Sequence, residues 1–148
     1  HEHRRQRQMC IRDRLNLMQA LKSVIISGTP YLGTSAGSNL CGPSIGTSND
    51  MPIVYPPSFE ALGIIPFNIN PHYIDPQPES KHMGETRATR IKEFHHYNSQ
   101  SVLGLREGSF LEITGDEVTL KGTLKARVFK QGVLAYEIDS GTDLSNFK

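Results

Sequence analysis

A serine between glycines, a histidine behind a proline and a glutamate before a glycine have side chains suited to nucleophilic catalysis. The serine lies in Gly33-Thr34-Ser35-Ala36-Gly37, a Gly-x-Ser-x-Gly pattern. In such a pattern a strand ends, the backbone turns sharply and a helix begins. The turn is strained, and the flanking glycines leave room for it. Ser35 Oγ is then expected to project into solvent, where an imidazole can reach it. The backbone N–H of Ala36, at the start of the helix, is expected to point at a developing oxyanion. Alone the pattern has low specificity, because small-residue loops with a serine are common.

Phe67-Asn68-Ile69-Asn70 alternates as a strand does, and Pro71-His72-Tyr73 follows at its end. Open α/β sheets collect ligands outside the carboxyl ends of their strands, so His72 stands where a catalytic base is needed. A loop histidine bonded to backbone is the competing reading. Ser101-Val102-Leu103-Gly104-Leu105 reads as a buried strand ending in Arg106-Glu107-Gly108. A carboxylate there is placed to orient an imidazole, and an ordinary turn glutamate is the alternative. Cys41 reads as a small buried residue. His95 and His96 are adjacent and point apart on a helix, with no second pair at i+4 spacing to make a metal site.

The elements that must position these residues follow from periodicity. Leu15, Met18, Leu21, Val24 and Ile25 fall at helical spacing, with Gly28 and Pro30 closing the helix. Tyr31-Leu32 reads as a short strand entering the turn. The helix after Ser35 carries Ser38, Asn39, Leu40 and Cys41 and breaks at Gly42-Pro43. Ser48-Asn49-Asp50-Met51-Pro52 is turn-forming, and Ile53-Val54-Tyr55 reads as a strand stopped by Pro56-Pro57. Residues 75–83 form a polar loop expected to rim the site. A helix is expected from Gly84 to about Gln100, with Ala88, Ile91, Phe94 and His95 inside and Arg90, Lys92, Glu93 and His96 outside. Two hairpin patterns follow, at 110–120 and 126–136, and read as antiparallel strands closing one edge of the sheet. The tail from Asp139 to Lys148 is polar and expected to be loose. The class is therefore α/β passing into β, without internal repeats.

The chain has 148 residues, 36% of them apolar, which suits one domain. A formal net charge of +1 gives no electrostatic case for nucleic acid or a membrane surface. No apolar run is long enough to span a bilayer, and no apolar stretch of a secretory signal follows the charged start. Two cysteines, Cys10 and Cys41, form neither metal spacing nor a disulfide framework, so a reduced, cytoplasmic setting is the default expectation. Residues 1–14, HEHRRQRQMCIRDR, differ from the rest, with five arginines and two histidines. An Arg-rich presequence or nucleic-acid arm and a solvated helix extension compete for this segment. The favoured reading is that it is foreign to the domain.

Several segments together resemble the peptidase E family, the aspartyl dipeptidases among the S51 serine peptidases. They are Pro30 to Asn39, Ser48 to Val54, Phe67 to Tyr73, Gly84-Glu85-Thr86-Arg87 with Arg90-Ile91, and Gly104 to Gly108. The resemblance covers roughly residues 15–138. It implies a Ser–His–Glu triad, with Ser35 as nucleophile, His72 as general base and then acid, and Glu107 orienting the imidazole. Chain order differs from that of α/β-hydrolases, but triads are defined by geometry and role. It also implies a small peptide substrate with N-terminal aspartate and no cofactor. Arg87 is the candidate for binding the substrate carboxylate, or else pairs structurally with Glu85. Asp50 is a candidate site residue or a turn-former.

The implied fold is three-layered and class I glutamine amidotransferase-like (flavodoxin-like), with a mostly parallel sheet, C-terminal antiparallel hairpins and an incomplete N-terminal half. Family members carry an α/β segment ahead of the position of Leu15 that supplies a second oxyanion donor. Losing one such donor costs about 2.7–4 kcal/mol of transition-state stabilisation in a comparable enzyme. The chain alone is therefore expected to be poorly soluble or inactive. A cyanophycinase-like hydrolase and a non-enzymatic binding domain of the amidotransferase-like group are the rival readings.

Overall fold

The structure, a computed structural model, describes residues 17–48, 55–75 and 86–148. Segment 1–14, Asp50 with most of its turn, Ile53-Val54, loop residues 76–83 and Gly84-Glu85 lie outside the described residues.

Among the described residues three helices and six strands follow in order. Helix α1 spans Leu17–Ile26 and α2 spans Ala36–Leu40, directly after Ser35. Strand β1 is Asn68–Pro71, α3 is Arg87–Phe94 and β2 is Val102–Leu105. Strands β3 (Ser109–Thr114), β4 (Glu117–Gly122), β5 (Ala126–Phe129) and β6 (Tyr136–Ile138) complete the chain.

The main sheet has the order β1-β2-β5-β6. Strands β1 and β2 run parallel, in register from Asn68↔Val102 to Pro71↔Leu105, so His72 and Arg106-Glu107 leave the same end side by side. Strands β5 and β6 add antiparallel, which makes the sheet mixed among the described residues. All four residues of β2 are buried, as a near-continuous apolar run between two covered faces should be.

Alternation sorts the core onto those faces. Ile69, Leu103 and Val128 point to one side, where Val118 and Leu120 of β4 meet them. Val102 and Phe129 point to the other, against Tyr73 and Ile91 of α3. Helix α3 starts at Arg87 because Thr86 caps it, its hydroxyl accepting from Thr89 N at 3.1 Å. Its regular part ends at Phe94, short of the expected Gln100.

Four expectations need correction. Tyr31-Leu32 is not a strand; a strand needs a partner, and none of the described strands pairs there. The β3–β4 hairpin, turned at Gly115 (φ 60°), forms its own two-stranded sheet instead of extending the main one. The last strand is Tyr136–Ile138, later than the Val133 start expected. The tail is held, not loose: Leu144 N donates to Val118 O at 2.7 Å and the Leu144 side chain is buried. Phe147 packs edge-on against Phe67, with ring centroids 4.9 Å apart, and Ser101 Oγ donates to Lys148 O at 2.6 Å. No helix among the described residues is long and apolar enough to cross a membrane.

Candidate active site

Ser35 has φ 52° and ψ −114°, a conformation that L-residues rarely adopt. Such a residue costs about 1–3 kcal/mol and persists only where its surroundings over-determine it. Those surroundings are visible. A Cβ on Gly33 would lie 2.7 Å from Gly37 O, so the first glycine of the pattern is sterically required. Gly37 is not required in that sense, because a Cβ there would meet only Tyr31 Oη at 3.5 Å. Tyr31 Oη donates to Gly37 O at 2.8 Å, and Ser38 Oγ donates to Gly33 O at 3.0 Å.

Buried amides tie this elbow to the strand that carries His72. Asn39 Nδ2 donates to Ile69 O at 2.8 Å and to Thr47 Oγ1 at 3.0 Å. Thr47 Oγ1 donates to Ile69 O at 3.1 Å, and Asn70 Nδ2 donates to Thr47 O at 2.8 Å.

His72 follows β1 with φ 54°, a left-handed turn that breaks the strand direction. Its Nδ1 lies 2.9 Å from Glu107 Oε1, across the parallel strand ends. Tyr73 N donates to Leu105 O at 3.0 Å and continues the β1–β2 ladder past the histidine. The Tyr73 ring fills the space above Gly104, where a Cβ would come within 2.8 Å of it.

Ser35, His72 and Glu107 line one cavity of about 330 Å³. Tyr31 and Cys41 line it too, with an apolar wall that includes Leu32 and, from β3, Phe110 and Ile113. Ser35 Oγ and His72 Nε2 are both covered and have no hydrogen-bond partner among the described residues. The serine oxygen thus faces a walled cavity, not open solvent as the pattern alone led us to expect. Burial pushes the Cys41 thiol up to about 11 and the Tyr31 phenol up to about 12, so both are neutral near pH 7.

Beside Glu107, Arg106 uses all five of its N–H groups. Nε and Nη2 donate to Asp75 Oδ2 and Oδ1 at 3.0 and 2.9 Å. Nη1 and Nη2 donate to Glu137 Oε2 and Oε1 at 2.8 and 2.9 Å. Nη1 also donates to Lys125 O at 2.6 Å. Hydrogen bonds from this guanidinium hold the Asp75 and Glu137 carboxyls below their ordinary values.

Ala36 is the first residue of α2, in place for its N–H to start the helix. Arg87 is the first residue of α3, half-buried, and is not among the described residues lining the cavity. Sequence reasoning did not single out Tyr31, Asn39 or Arg106. A tyrosine two residues ahead of the first elbow glycine, and an arginine abutting the strand-end glutamate, were the available signals.

The family model described as Peptidase family S51 matches residues 9–121. The chain is 53% identical over 132 residues to Peptidase E of Streptomyces coelicolor, which covers 89% of this chain and 54% of that protein. It is 49% identical over 117 residues to the Probable alpha-aspartyl dipeptidase of Drosophila melanogaster, with 78% and 49% covered. Peptidase E of Shewanella amazonensis is 48% identical over 133 residues, with 89% and 56% covered. The chain spans about half the length of the curated relatives it matches.

Proposed function

The chain belongs to peptidase family S51, and from that premise we propose that it carries the Ser–His–Glu centre of a serine dipeptidase acting on N-terminal aspartyl dipeptides. One observation carries the reading. His72 Nδ1 is held by Glu107, while His72 Nε2 and Ser35 Oγ both have no partner among the described residues at the same cavity. A carboxylate on Nδ1–H selects the tautomer whose Nε2 can accept a proton. His72 then takes the proton of Ser35 as Oγ attacks the peptide carbonyl, and returns it to the leaving amine. Water, deprotonated by the same imidazole, releases the acyl group. Glu107 steadies the imidazolium formed in each step. The Ala36 N–H is proposed as an oxyanion donor.

The aspartyl preference is supported by the name of the Drosophila relative. Arg87 is proposed to bind the substrate carboxylate, with Asp50 as a further site residue. The three-layer, class I glutamine amidotransferase-like arrangement is proposed for the enzyme as a whole.

The test compares Asp-Leu with β-aspartyl-arginine as substrates, in wild type and in Ser35→Ala. Asp-Leu hydrolysis that falls at least about a thousandfold in Ser35→Ala is the expected result. Turnover of β-aspartyl-arginine alone would point to a cyanophycinase-like hydrolase. Activity indifferent to Ser35→Ala would sink the serine mechanism.

A further inference from the structure

The left-handed backbone at His72 and the exposed position of Glu107 pose a question. The Glu107 side chain is 81% accessible, yet it holds the imidazole at 2.9 Å. An exposed carboxylate keeps one geometry only if its backbone is fixed from elsewhere, because a solvent-exposed pair contributes little by itself.

Arg106 supplies the fixing. Its side chain is only 16% accessible, against 50% for Asp75 and 33% for Glu137. Asp75 stands three residues after His72, Arg106 immediately before Glu107, and Glu137 on β6. The fork to Asp75 ties the segment leaving β1 to the segment leaving β2. The fork to Glu137 anchors both to the far strand of the sheet. Arg106 also lies over the Tyr73 ring, 5.5 Å from its centroid, so it braces the residue next to His72 from the side. A lysine could reach one carboxylate but could not donate two forks in one plane.

We infer that Arg106 is a positioning residue, one whose two-carboxylate clamp on Asp75 and Glu137 holds His72 and Glu107 in register. The inference rests on the catalytic reading of Ser35 and His72, but its structural half can be read without turnover. Arg106 itself touches no reacting atom, since all five of its N–H groups are engaged.

The experiment uses the full chain in three forms, wild type, Arg106→Lys and Asp75→Asn. Two readouts are taken: the downfield proton resonance of His72 Nδ1–H, assigned by its loss in His72→Gln, and Asp-Leu kinetics. Thermal unfolding checks that each variant folds. A displacement of about 1 Å in a catalytic group costs about a hundredfold in rate, so kcat is expected to fall by about that factor in Arg106→Lys. Asp75→Asn, which weakens the Arg106 link to the His72 segment together with the longer Arg127 contact at 3.7 Å, should lose about tenfold by the same reasoning. KM should stay within about twofold in both, and the resonance should broaden or vanish. If Arg106→Lys fails to fold, Asp75→Asn decides alone. A resonance and kcat unchanged in folded variants overturns the inference, even if Tm drops. So does a wild type without the resonance. A wild type that shows the resonance, loses it in both variants and never cleaves Asp-Leu supports the positioning role while the dipeptidase reading fails.

Discussion

Tyr31 reaches both glycines that flank the proposed nucleophile. Its ring would collide with any Cβ on Gly33, 2.8 Å from Cε1, and its hydroxyl donates to Gly37 O. The strained serine is thereby bracketed on both sides by one side chain. Tyr31→Phe keeps the ring and removes the donor. It should cost about 0.5–1.5 kcal/mol of stability, read from the urea midpoint. A loosening that raises the barrier by about 1.4 kcal/mol would lower kcat on Asp-Leu about tenfold. Unchanged kcat with lowered stability would assign the hydroxyl to folding alone. Ser35, His72 and Glu107 could be singled out in the sequence because each adjoins a recognisable element, the helix after Ser35 and the strands ahead of His72 and Glu107. Arg106 could not be read for its role, since its two carboxylate partners are each 31 positions away. Nothing local in Gly-Leu-Arg-Glu-Gly announces a partner at that distance.

Among elements, the parallel β1–β2 pair does most to bring the site together, and the clamp at its end is a set of charges. Asp75 and Glu137 have ordinary values of 3.8 and 4.5, and Arg106 first, with Arg127 adding to it, holds both lower in the folded chain. A carboxylate depressed on folding adds stability above its unfolded value, and the addition is lost as pH falls through the folded one. Tm should therefore be level above about pH 5 and decline below about pH 4. Arg106→Lys should show a shallower acid decline, and an identical decline would remove the clamp from the account. Partial exposure of both carboxylates keeps the effect modest. The strands themselves were legible as short apolar or alternating runs, and the β3–β4 hairpin from Thr114-Gly115-Asp116-Glu117. Which sheet each strand joins was not, because alternation identifies a strand without identifying its partner. Tyr31-Leu32 misled for a related reason: two apolar residues mimic a strand, but here the tyrosine serves the elbow.

At the scale of the whole molecule, α1 has no buried residue, and Leu21, Val24 and Ile26 are 43%, 49% and 72% exposed. Helical spacing correctly announced an amphipathic helix, but periodicity does not say what covers a face. The opposite case is at the other end. A segment polar enough to read as loose contains Leu144 and Phe147, and these two close the core beneath β1. Phe67, fully buried and directly ahead of β1, has Phe147 as its lid, and the Lys130 ammonium caps that ring at 4.8 Å. Phe147→Ala should cost about 2–3 kcal/mol, less than a fully buried phenylalanine, and lower Tm without altering the residues that line the cavity. A Tm equal to wild type would show that the lid is dispensable. The same packing gives the protein a particular route of wear. A protease that nicks between Leu144 and Phe147 touches none of Ser35, His72 and Glu107, yet it frees the ring that roofs Phe67, directly ahead of the strand that His72 follows. Inactivation by such an endoprotease would then keep time with that single cut.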